Sequence, residues 1–236
     1  MKKIKIGLLS TQKSEILGHI INKFIEYGIK IDSIIFDSKL PGDEHFKRWD
    51  ERTKGNIPYI PISSFEKMFI PCFYFDDHSS SITEQFVKEN EIAILVNAGT
   101  PRILKSNLLK APSIGVINCH PGILPNFRGC TCVEWGIYLD KPVGNTVHFM
   151  TEKIDEGPIL SKEEVNFLKS DNYSDIRVKV YKHGFDLLAR SIIDFINDPY
   201  INSDYERNGD YFKVIDDNKM REVINKVNSG NYKFQF

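Results

Sequence analysis

The 236-residue chain has no apolar run that approaches the length of a membrane span. It has little cysteine: four residues, of which only Cys130 and Cys132 lie close together. That scarcity excludes a disulfide scaffold. Cys-x-Cys without a second pair is also not the spacing of a zinc site, so the thiols read as reduced and no metal is expected. The chain has no excess of either charge, with 31 Lys and Arg against 32 Asp and Glu. The stretch from Tyr200 to Phe236 is balanced in the same way, six basic against six acidic residues. Without a basic stripe, nucleic acid is not an expected partner. Repeats and low-complexity segments are missing as well. The opening apolar run, Ile4 to Leu9, is too short for a signal sequence and is interrupted by Lys5. It reads as a strand, and a cytoplasmic location is expected.

What is present is an ordinary globular composition, 41% apolar and 27% charged. Apolar runs at Lys3 to Leu9, Ile31 to Phe36, Cys72 to Phe75, Ile92 to Val96 and Ile114 to Asn118 alternate with stretches of helical spacing. The helices are Ser14 to Glu26, Asp43 to Lys54, Ile82 to Glu89 and Val133 to Leu139. That alternation predicts an α/β fold with a parallel sheet and helices on both faces. Asn145 to Met150 and Ile159 to Phe167 read as further strands, and Tyr173 to Ile196 as a long helix stopped at Asp198-Pro199. Residues 1–198 read as one domain. Residues 199–236 read as a small extension packed on it, a short hairpin (Tyr205 to Arg207 with Tyr211 to Ile215) followed by a helix. Trp49 and the charges around it read as a solvated helix face; Phe69, Phe73, Tyr74 and Phe75 read as core.

The informative stretch runs from Ile117-Asn118-Cys119-His120-Pro121-Gly122 to Arg128-Gly129. An apolar strand delivers Asn118 and His120 with period-two spacing, so both leave one face while Cys119 leaves the other. Strand ends of this kind face the ligand crevice of an open α/β sheet. Asp155, in Ile154-Asp155-Glu156-Gly157-Pro158, adds a carboxylate. An amide, an imidazole and a carboxylate suit acyl transfer to an amine. Asn118 and protonated His120 donate to the developing oxyanion, where one donor contributes roughly 3 kcal/mol. Asp155 orients the ring and helps pass a proton through water.

The joint pattern Asn118-x-His120-Pro121-x-x-Leu124-Pro125-x-x-Arg128-Gly129, with Gly144 to Phe149 and Ile154-Asp155-x-Gly157-Pro158-Ile159, resembles the N10-formyltetrahydrofolate-dependent formyltransferase superfamily. The resemblance implies a Rossmann-like sheet and a catalytic set of Asn118, His120 and Asp155. It implies a folate pocket formed by Arg102, Ile103 and Leu104 together with Glu152, Lys153 and Ile154. The donor, N10-formyltetrahydrofolate, is then a co-substrate.

Within that superfamily the loop after the first strand, Ser10 to Ser14, lacks the glycine of a backbone phosphate cradle. That points away from glycinamide ribonucleotide. Chain length and the balanced tail point away from methionyl-tRNA. The chain is most similar to the sugar N-formyltransferases, which implies an amino-sugar acceptor, nucleotide-linked, in surface-glycan precursor synthesis, and a homodimer by analogy. The alternatives are another amine (glycinamide ribonucleotide, a nonulosonic acid or an aminoacyl carrier) or a folate-binding relative without catalysis. Two readings stay open for each of two further residues. Arg128 either binds the acceptor's anionic group or fixes its loop by a salt bridge. His148 either lines the site or is a packed strand histidine.

Overall fold

The computed structural model describes residues 4–200 and 208–236. Its strands are β1 (Ile6–Thr11), β2 (Ser33–Asp37), β3 (Cys72–Phe75), β4 (Ile94–Asn97), β5 (Gly115–His120), β6 (Phe127–Gly129), β7 (Gly144–Phe149), β8 (Ile159–Glu164) and β9 (Asp210–Phe212). The helices are α1 (Leu17–Glu26), α2 (Asp43–Thr53), α3 (Ser81–Glu89), α4 (Ser106–Leu109), α5 (Cys132–Tyr138), α6 (Tyr173–Asn197) and α7 (Asp217–Asn228).

The main sheet has the order β3-β2-β1-β4-β5-β7-β8. The first five strands pair in parallel, and β7 and β8 extend the β5 edge in antiparallel fashion. This is the Rossmann-like α/β arrangement that the alternating pattern implies. β1 and β2 are buried at every position because helices cover both faces. On one face, Ile20, Ile21 and Phe24 of α1 and Phe185, Leu188 and Ile192 of α6 pack on Leu8, Val96, Ile117 and Val147. On the other, Val87 of α3 and Leu108 of α4 pack on Leu9, Ile35, Leu95 and Val116.

Helix α6 begins with a capping box. The Asn172 side chain accepts from the backbone of Ser174 and Asp175, and Asp175 reaches back to the Asn172 N–H. It continues past the predicted end by one residue and stops before Pro199.

The tail joins the body through β9, which pairs in parallel with β6. Tyr205 to Arg207, read as the partner half of a hairpin, lies outside the described residues. Val223, Val227 and Tyr232 share a cluster with Val133, Ile137 and Ile176.

Two sequence readings are corrected. Phe69 is 89% exposed and Tyr74 59% exposed. Tyr74 lies on β3, an edge strand, and periodicity does not report a strand's place in the sheet; Phe69 lies in the turn that ends the short helix Ile62–Met68. Helix α2 is not a freely solvated helix: Trp49 packs on Tyr181 with ring centroids 4.7 Å apart. Arg52 Nε lies 3.5 Å from the buried Glu134 carboxylate, which also accepts from the Tyr173 hydroxyl at 2.6 Å. Arg48 remains exposed, as expected.

Candidate active site

The register of two strand pairs assembles the site. Asn118 sits directly opposite His148, and His120 opposite Thr146, in the antiparallel pairing of β5 with β7. Opposed residues share a face, so the Asn118 amide meets the His148 ring: Nδ2 to Nε2 is 3.2 Å. On the other side, Val96 is the partner of Ile117, which brings the end of β4 beside Asn118. There Asn97 Nδ2 lies 2.9 Å from Asn118 Oδ1.

The hydrogen bonds fix where the protons are. His148 Nδ1 is 2.9 Å from the Phe149 carbonyl, which only accepts, so Nδ1 carries the ring proton. Burial, reinforced by the neighbouring His120, lowers the His148 pKa to about 4. The ring is therefore neutral near pH 7, and its Nε2 accepts from Asn118. His120 Nε2 donates to the Phe127 carbonyl at 2.8 Å. Its Nδ1 faces Asp155 Oδ2 at 3.5 Å.

Asp155 closes the set. Its Oδ2 accepts from the Gly129 backbone N–H at 2.8 Å, and its Oδ1 lies 3.6 Å from His148 Nε2. The residue holds a left-handed backbone, φ +55°, a conformation that Asp tolerates. The glycine two positions on is required by contact rather than by torsion. A Cβ on Gly157 would lie 1.7 Å from the Phe149 carbonyl oxygen. The loop thus presses against the end of β7 and brings its carboxylate to the two imidazoles. Cys119 points to the opposite side, with Sγ 3.4 Å from the Gly184 carbonyl, and burial raises its thiol to about 12. A nucleophilic thiolate is not available there.

The segments expected to hold folate adjoin each other. Ser106 and Lys110 both donate to Glu152, at 2.6 and 2.9 Å, and Met150 packs against the cluster that contains Leu104. Ile103 is 78% exposed and Ile154 is 43% exposed, which leaves two apolar side chains facing out of these loops. Leu104 is buried in the core, so only its backbone can face a ligand. Arg102 is engaged as well: its Nε lies 3.0 Å from both oxygens of Asp37, and its Nη2 donates to the Asp76 carbonyl. Apolar walls of this kind fit one face of a flat heteroaromatic ring.

Arg128 pairs with Glu156 and donates to the Gly209 carbonyl. It also lines an 850 Å³ recess with Lys141, Lys153 and Asp210. His148 is both a packed strand histidine and a partner of the Asn118 amide. Among the described residues, no group of three or more His, Cys, Asp or Glu is placed to hold a metal ion.

Two residues that sequence reasoning did not single out are Asn97, beside Asn118, and Glu15, in a neighbouring crevice. Asn97 ends an apolar strand as Asn118 does, and that shared signature was the available signal. Glu15 lies in the turn between β1 and α1, 6% exposed, in a 390 Å³ crevice lined also by Thr11, Ser14, Gly42, His45 and Gly99. One Glu15 oxygen is 3.0 Å from His45 Nε2, and the other is buried with no hydrogen-bond partner. No sequence signal marked Glu15.

Residues 9–192 match the family model described as formyl transferase. Methionyl-tRNA formyltransferase of Listeria welshimeri is 33% identical over 119 residues, which cover 50% of this chain and 38% of that protein. The chain thus spans well under two thirds of the length of the curated relatives it matches. A sugar N-formyltransferase from Shewanella superposes with a TM-score of 0.62 at 21% identity, covering 90% of this chain and 78% of that one. Glycinamide ribonucleotide transformylase 1 from Symbiobacterium toebii superposes with a TM-score of 0.61 at 20% identity, covering 80% and 85%.

Proposed function

The chain belongs to the formyl transferase family, and on that premise we propose that it transfers a formyl group from N10-formyltetrahydrofolate to the primary amine of a nucleotide-linked amino sugar. The observation that carries the reaction is the Asn118 amide held between Asn97 and His148, beside His120 and Asp155. The donor supplies an electrophilic formyl carbon. Asn118 has one amide hydrogen given to His148 and a second left for the oxygen of that carbonyl as charge builds on it. His120, its Nε2 turned to the Phe127 carbonyl and its Nδ1 to Asp155, holds that carboxylate beside the reacting centre. Asp155 is also the acceptor through which water can carry the amine's proton towards the leaving nitrogen. The folate is expected against the backbone of Arg102 to Leu104 and of Glu152 to Ile154, with Ile103 and Ile154 as apolar walls. In this reading Arg102 acts by holding its loop to Asp37. Arg128, lining its own recess, is a candidate contact for the acceptor.

The acceptor class rests on the end of β1. In doubly wound sheets a phosphate is held there by a glycine-rich turn and a helix N-terminus. Here a Cβ on Gly18 would lie 2.7 Å from the Ile60 carbonyl oxygen, so the first turn of α1 is covered by backbone that accepts. Glu15 adds a carboxylate with an unfilled acceptor. At this position both oppose a phosphate and suit hydroxyl or amine donors, as the sugar end of such an acceptor offers. This favours an amino sugar over glycinamide ribonucleotide, and the net charge of −1 opposes a polyanion. The test is incubation with N10-formyltetrahydrofolate and a panel of nucleotide-linked amino sugars, alongside glycinamide ribonucleotide and aminoacyl acceptors. Release of tetrahydrofolate and a mass gain of one formyl group with an amino sugar support the reading. Turnover confined to the ribonucleotide or aminoacyl acceptors refutes it.

A further inference from the structure

Asn97, Asn118 and His148 form one hydrogen-bonded row across the adjacent strands β4, β5 and β7. The direction of every bond in it is set from one end. Asn97 Oδ1 accepts the backbone N–H of Gly99 at 3.1 Å and of Thr100 at 2.9 Å. Only an oxygen can accept, so the Asn97 amide cannot flip, and its Nδ2 must face Asn118. Asn118 must answer with its Oδ1, which turns its own Nδ2 towards His148 and the reaction space. The Phe149 carbonyl fixes the other end by holding the ring proton on Nδ1.

We propose that Asn97 is a positioning residue that sets the polarity of the Asn118 amide, so that Asn118 presents hydrogen rather than oxygen to the reacting carbonyl. The proposal rests on the formyl-transfer reading for its kinetic consequence but not for its structural one. A carboxamide flipped by 180° fills the same space, so packing alone does not choose between the two orientations. The wrong one places a lone pair where negative charge develops. What opposes a flip is the row itself, because it would set amide against amide at Asn97 and oxygen against the His148 Nε2 lone pair.

The discriminating substitution is Asn97→Asp. An aspartate keeps the acceptor for Gly99 and Thr100 but replaces the donor facing Asn118 with a second acceptor. Asn118 must then flip and aim its oxygen at His148 Nε2. The expected result is a loss of about 10²-fold in kcat with the donor KM changed by less than about threefold. The thermal transition remains cooperative. In ¹⁵N NMR of the histidine rings at pH 7, His148 Nε2 gains a proton that the parent protein lacks. Unchanged kcat, or a His148 Nε2 that stays unprotonated, overturns the proposal. Asn118→Ala separates the two levels. If that variant is inactive while Asn97→Asp is fully active, only the role of Asn97 fails. If Asn118→Ala keeps the parent rate, the functional reading fails, and the His148 ring signal alone decides the orientation of the row.

Discussion

Gly129 donates its backbone N–H to Asp155 at 2.8 Å, which ties the loop after the proline motif to the carboxylate beside His120. An asparagine at 155 keeps this bond through its side-chain oxygen and tolerates the left-handed backbone. What it loses is charge. Asp155→Asn is therefore expected to lower kcat by about 10²-fold while the melting temperature moves by only a few degrees. Parallel rate and thermal-melt measurements check this. A large drop in melting temperature at full activity would assign Asp155 a purely structural role.

Asn118→Ala removes a donor aimed at the reacting carbonyl. The expected loss is roughly 10²–10³ in kcat, with little change in the KM of the formyl donor. Steady-state kinetics with both substrates varied is the measurement. A change confined to KM would place Asn118 in substrate binding instead.

His148 makes stability sensitive to acid. Its folded pKa is about 4, below the ordinary histidine value of 6.5. An unfolded chain takes up a proton as pH falls through that ordinary value, and the folded chain does not until about pH 4. Stability is thus full above about pH 6.5 and declines towards about pH 4, by up to roughly 3 kcal/mol from this ring. Urea midpoints across that range check the slope. A His148→Gln variant should show a flatter one.

Glu15→Gln removes a buried charge that has one unpartnered oxygen. The fold should persist. If the crevice at the end of β1 reads acceptor hydroxyls or an amine, the acceptor KM rises by about tenfold while the donor KM holds. Equal effects on both substrates would disconnect Glu15 from the acceptor.

Element positions were legible because apolar spacing differs sharply between strands and helices. Cys72 to Phe75 and Tyr173 to Ile196 show it: the first is strand β3 without adjustment, the second α6 within one residue. The place of a strand in the sheet was not legible, which is why exposed Tyr74 read as core; Phe69 lies outside β3, in the connection before it. Asn118, His120 and Asp155 were readable as a motif, and Gly157 is explained by its contact with Phe149. Asn97 and Glu15 were harder to find, because their roles come from neighbours distant in sequence. The Arg52–Glu134–Tyr173 cluster was hidden for the same reason: it joins α2, α5 and α6 through side chains alone.

The pairing of β6 with β9 sets an order of events during synthesis. Gly129, which anchors Asp155, is the register partner of Phe212, so the loop that holds the carboxylate is itself held by residues made much later. The chain between them takes roughly 4–17 s to translate at typical elongation rates. Within that interval β7, β8 and α6 are made, so the sheet and the Asn118–His148 row have all their residues before the Gly129 anchor gains its partner strand. The loop that carries Asp155 consequently gains this anchor only after every strand of the main sheet has been made.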